Sequence, residues 1–176
     1  MNIFGGRRPE PSIWRRYGMT ADGFTVSRGG GLTTVAVGAS ADRVLEHLAA
    51  LVADMPAFVD IALDEVRSGH CWRAEARPLR EVQQAMTQIQ GVVARFGGVE
   101  LSIYTKEDQL TLTPQLELYI FSHSDRWLYV LESRGLEERP ALSSRSWRLP
   151  PGVFPEAPEL VRGVAAAAAG LGLKPA

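Results

Sequence analysis

The chain has 176 residues, 45% of them hydrophobic and 22% charged, and a formal net charge of -1. That suffices for one ordinary domain with a core of its own, and it excludes a global basic field of the kind that attracts nucleic acid. The lone cysteine, Cys71, excludes an intrachain disulfide and a cysteine-based zinc site, and no window reaches the ~20 apolar residues of a membrane span.

Residues 1–22 read as an arm. They hold Gly5, Gly6, Pro9, Pro11 and Gly18, with Arg7, Arg8, Arg15 and Arg16 around Trp14 and Tyr17. Neither a period of 2 nor one of 3.6 runs through them. No apolar stretch of a signal peptide follows the start, so the expected setting is the reducing cytoplasm. The only lysines are Lys106 and Lys174, and this preference for Arg, together with the many alanines, points to a GC-rich bacterial genome.

Gly23–Ser27 and Leu32–Gly38 are β-rich and flank Arg28-Gly29-Gly30-Gly31, the signature of a hairpin. The spacing of Val44, Leu45, Leu48, Leu51, Val52 and Met55 predicts a helix over 41–54, with Ser40 at its N-cap and Pro56 beyond its end. Phe58 to Val66 alternates and predicts a strand. Residues 67–77 show no period and are read as irregular. Pro78 opens a second helix, 79–96, with a stripe of Leu79, Val82, Met86, Ile89, Val93 and Phe96 closed by Gly97-Gly98.

Four strands are expected next, at 99–105, 109–113, 115–122 and 126–132. Residues 133–157 hold four prolines and predict coil, and a third helix is expected over 158–170. The fold class that follows is α+β in one domain: two layers, with a mostly antiparallel sheet of five to seven strands and two or three helices on one face.

Alternation divides the strand residues into two faces. Val59, Ile61, Leu63, Leu101, Ile103, Leu116, Leu118 and Ile120 form the apolar one. Asp60, Asp64, Glu100, Tyr104, Glu117, Tyr119, Phe121 and Trp127 form an acidic and aromatic one. Tyr and Trp are typical interface anchors, so the second face is a candidate for gripping a basic protein or a second copy of the chain. Tyr104, Glu117, Tyr119, Asp60, Asp64 and Trp127 are the residues expected to bind, with Trp14, Arg15 and Arg16 as a secondary set.

Other chemistry is thinly represented. Asp60 and Asp64 stand four apart on a strand, about 13 Å at ~3.3 Å per residue, so an acid/base pair would need Glu100 or Glu117 from a neighbouring strand. His70 and His123 accompany Cys71 with no nucleophile signature, and His47 reads as a boundary residue of the first helix. No metal-ligand spacing, Walker sequence or dinucleotide fingerprint occurs, and no cofactor is expected. The sequence therefore predicts a non-catalytic interaction module: an adaptor, an inhibitor or immunity-type partner, or an assembly subunit. Two alternatives are a small hydrolase using the open-face carboxylates and a nucleic-acid accessory protein acting through the Arg/Trp arm.

Overall fold

A computed structural model describes residues 14–15, 22–39, 41–142, 146–147 and 153–176. In chain order the strands and helices are β1 (Trp14–Arg15), β2 (Gly23–Gly29), β3 (Leu32–Gly38), α1 (Ala41–Ala53), β4 (Phe58–Glu65), β5 (His70–Pro78), α2 (Leu79–Phe96) and β6 (Val99–Tyr104). They continue with β7 (Asp108–Leu112), β8 (Leu118–Ser122), α3 (Arg126–Ser133), β9 (Glu137–Glu138), β10 (Ser146–Trp147), α4 (Pro158–Gly170) and β11 (Lys174–Pro175).

Among the described residues nine strands make one open sheet in the order β11-β5-β4-β6-β7-β8-β3-β2-β9, while β1 and β10 pair separately. Every pairing is antiparallel except the two-residue match of β9 with β2. The sheet is thus α+β and mostly antiparallel as expected, but it has more strands than predicted and is served by four helices. The β2–β3 hairpin turns on Gly30 and Gly31, both at positive φ (61° and 78°), the two-residue geometry that suits the twist of the strands.

All four helices contribute to one cluster of buried apolar side chains that includes Val35, Ile61, Leu63, Leu101, Ile103, Leu110, Leu118 and Ile120. Apart from Val35, these strand residues belong to the predicted inward series. The opposite side chains, Asp60, Asp64, Tyr104, Thr111, Tyr119 and Phe121, are all half-buried. Among the described residues no helix is long and apolar enough to cross a membrane.

Three expectations are corrected. Residues 126–132 are helix α3, not a strand. Trp127, Leu128 and Leu131 are buried at helical spacing, whereas Tyr129 is 71% exposed. The segment also alternates aromatic with aliphatic residues, and strand propensity favoured the wrong period. Residues 70–78 form β5 rather than a loop; both its faces are partly solvated, so no apolar alternation marks it. His47 is not at a boundary. It is 2% exposed, and its Nε2 lies 3.1 Å from the Asp22 carboxylate, which also takes a bond from Arg43.

Three buried or half-buried carboxylates sit in such cages. Burial pushes Asp22, Glu65 and Asp108 up, yet all three stay below their ordinary values. Asp22 is held by His47 and Arg43, Glu65 by the N–H groups of Ser68 and Arg67, and Asp108 by Ser122, Trp127 and Arg126. A carboxylate whose folded pKa is depressed stabilises the fold above its unfolded pKa and loses that contribution as pH falls through the folded value. The urea midpoint is therefore expected to hold above about pH 5 and to drop progressively below about pH 4. A midpoint that rose on acidification would contradict these cages.

Candidate functional site

The surface away from the helices is set by strand register. One row crosses the sheet as Arg73, Ala62, Ser102, Thr111, Tyr119, Ala36 and Thr25. The next row runs Asp60, Tyr104, Gln109, Phe121, Thr34 and Ser27. β7 therefore separates β6 from β8, so Tyr104 and Tyr119 do not stand on adjacent strands. Two strand spacings and a two-residue offset along the strand put them roughly 12 Å apart.

The centre of this face is built by short polar contacts. Ser102 Oγ and Thr111 Oγ1 are 2.9 Å apart, and Gln109 Nε2 donates to Thr111 Oγ1 at 2.9 Å. Tyr119 and Phe121, two apart on β8, stack with ring centroids 6.4 Å apart at 21°. Burial, then the neighbouring Glu117 carboxylate, pushes the Tyr119 hydroxyl above its ordinary value, so it stays a neutral donor at physiological pH. Phe121 was absent from the expected binding set, although its place two residues after Tyr119 on one strand was the available signal.

The acidic residues divide into two groups. Asp64 is bridged to Arg73, whose Nη2 lies 3.0 Å from Asp64 Oδ2. Asp60 accepts the N–H of Ala76 at 2.8 Å, steadying a positive-φ residue where the β4–β5 register shifts. Both are thus engaged inside the sheet. Glu100 and Glu117 have no cation partner among the described residues, although Glu117 accepts the Tyr119 hydroxyl. Asp64 and Glu100 are register partners, but Asp64 is committed to Arg73.

Trp127 does not belong to the surface. It is 1% exposed within α3, and its Nε1 donates to Asp108 Oδ1 at 2.9 Å. Trp14 and Arg15 form β1 and pair with Trp147 and Ser146, whereas Arg16 lies outside the described residues, as does the rest of the arm before Asp22.

The remaining chemistry is sparse. Burial and the Asp64 carboxylate push the Cys71 thiol up, away from the thiolate a nucleophile needs. His123 Nδ1 lies 3.2 Å from Gly31 O at the rim of a shallow cleft of about 350 Å³, where Asp125 is already bonded to Thr33 and Arg28. Among the described residues no three His, Cys, Asp or Glu side chains group closely enough to hold a metal. The chain matches no protein-family model, no curated protein and no solved structure.

Proposed function

We propose that the protein is a non-catalytic interaction module that binds another protein through the open sheet face. The observation that carries this reading is the one-sided placement of the helices. All four serve the apolar face, leaving Tyr104, Gln109, Thr111, Tyr119 and Phe121 as a contiguous aromatic and polar patch on the other. Aromatic groups backed by a rigid sheet lose little conformational freedom on binding, which is why such groups anchor interfaces.

Glu100 and Glu117 lie at the end of the same face, so the fitting partner presents Arg or Lys beside an apolar contact. Charges at a rim act on the association rate, while the aromatic centre sets the lifetime of the complex. The reducing cytoplasm suits a chain with one free thiol, and it is where the partner is to be sought.

The test is quantitative capture of partner from native-host lysate, followed by titration of the captured protein. Tyr119→Ala is expected to weaken the complex at least ~30-fold, since an anchor contributes ≥2 kcal/mol. Glu117→Gln should act mainly on the association rate and its salt dependence. Unchanged affinity in both variants would sink the open face as the working surface.

A further inference from the structure

One end of the open face already has an occupant. Gly23 and Gly38 are register partners at the outer end of β2 and β3, and alternation turns their missing side chains to the open side. A Cβ at Gly38 would lie 2.8 Å from Leu142 Cδ2, and one at Gly23 would lie 2.6 Å from Arg139 Nε. Neither glycine has a positive φ, so backbone conformation does not call for glycine at either position. The pair is instead a cradle, and the side chains of Leu142 and Arg139 lie in it.

The segment that supplies them is lightly held. Residues Glu137 and Glu138 make only the two-residue parallel match with β2, and the Arg139 N–H donates to Phe24 O at 2.8 Å. Glu137, Glu138, Pro140 and Ala141 are exposed. The Arg139–Glu137 ion pair is open at 3.6 Å, and the buried Arg139 Nε has no hydrogen-bond partner among the described residues. An orphaned buried donor weakens the closed arrangement. Beyond Phe24, the outer edge of β2 is unpaired among the described residues, and an unpaired edge is a template for a further strand.

We propose that residues 137–142 are an intramolecular strap that opens as a unit, and that an extended segment of the partner takes its place. That segment would add to β2 in parallel, setting an Arg-like side chain over Gly23 and, three residues on, a Leu-like side chain over Gly38. This deepens the open-face reading and rests on it. The strap then acts as a built-in competitor, because every partner must displace it first.

The experiment uses the full chain, isotope-labelled for NMR, and a synthetic peptide copying residues 136–142. Exchange of the Arg139 amide is expected to be at least ~100-fold faster than that of Leu118 or Ile120 and insensitive to low denaturant, as local opening requires. Leu142→Ala should speed it further while leaving Leu118 unchanged. In that variant the peptide should shift the amides of Gly23, Val26 and Gly38, and a further Gly38→Leu change should abolish those shifts. Exchange of Arg139 only by global unfolding would overturn the strap, and absence of peptide shifts in Leu142→Ala would overturn the docking site. Either failure, combined with loss of partner binding in Tyr119→Ala, would leave the broader open-face reading standing. Normal strap behaviour with Tyr119→Ala silent would do the reverse.

Discussion

Trp127→Ala is expected to destabilise the protein by roughly 3–5 kcal/mol, the range for removing a large aromatic from a core. The indole is 1% exposed and sits under the Arg126 guanidinium, 4.0 Å from the ring centroid. Its N–H is also one of three donors that hold Asp108, together with Ser122 Oγ at 2.6 Å and Arg126 Nη2 at 2.8 Å. Truncation therefore opens a cavity and strips a buried carboxylate of a donor. Guanidinium chloride titration checks this, with Tyr129→Ala as the internal control. Tyr129 is one turn face away and 71% exposed, so its loss should fall within about 0.5 kcal/mol. Equal costs at the two positions would mean that α3 does not pack as described. Asp108→Asn separates charge from shape. Its penalty should be full at neutral pH and vanish as pH falls through the depressed pKa of Asp108, where the native carboxyl is neutral too.

The same helix shows where the sequence was legible and where it was not. α1 and α2 were readable because each has a long apolar stripe at helical spacing, bounded by Pro56 or by Pro78 and the Gly97-Gly98 pair. The inward faces of β4, β6 and β8 were readable because one side is dry and the other wet, so alternation survives. α3 has only two turns, too short for period to beat propensity, and its deciding partner Asp108 lies on another strand. β5 lacked a signal because neither of its faces is fully dry. Long-range register was the deeper loss: nothing local says that β3 pairs with β8, which sets Thr34 opposite Phe121. The open face was thus identified by alternation, while its row of Tyr104, Gln109 and Phe121 and the strap at its end needed the folded sheet.

Arg67→Ala is the other substitution expected to cost about 3–5 kcal/mol, because it breaks a buried charge pair and orphans backbone acceptors together. Arg67 lies just after β4 and its side chain is 10% exposed. Its Nε donates to Pro155 O at 2.7 Å, Nη1 to Gly97 O at 2.9 Å and Nη2 to Phe96 O at 2.8 Å. One guanidinium thus caps the C-terminal end of α2 and ties the segment before α4 to it. Nη1 also reaches Glu65 Oε1 at 3.3 Å, a carboxylate with no side-chain exposure. The geometry needs room, and Gly98 supplies it: a Cβ there would stand 2.2 Å from Arg67 Nη1. A buried ion pair can often be exchanged for apolar side chains of similar volume without loss. That substitution should fail here, because most of the Arg67 donors serve main-chain carbonyls that an apolar residue would leave unpaired. Arg67→Lys should recover little, since a single ammonium cannot span acceptors arranged for a planar fork. Glu65 accepts the N–H groups of Arg67 and Ser68 on separate oxygens, at 3.0 and 2.7 Å, and Gln keeps only one of these acceptors. Glu65→Gln should therefore also destabilise, but by less than Arg67→Ala, which orphans three main-chain carbonyls. The double variant should fall short of the sum, as coupled neighbours do. Full additivity in chemical denaturation would show that the two side chains act independently, and the account of this corner as one network would have to be abandoned.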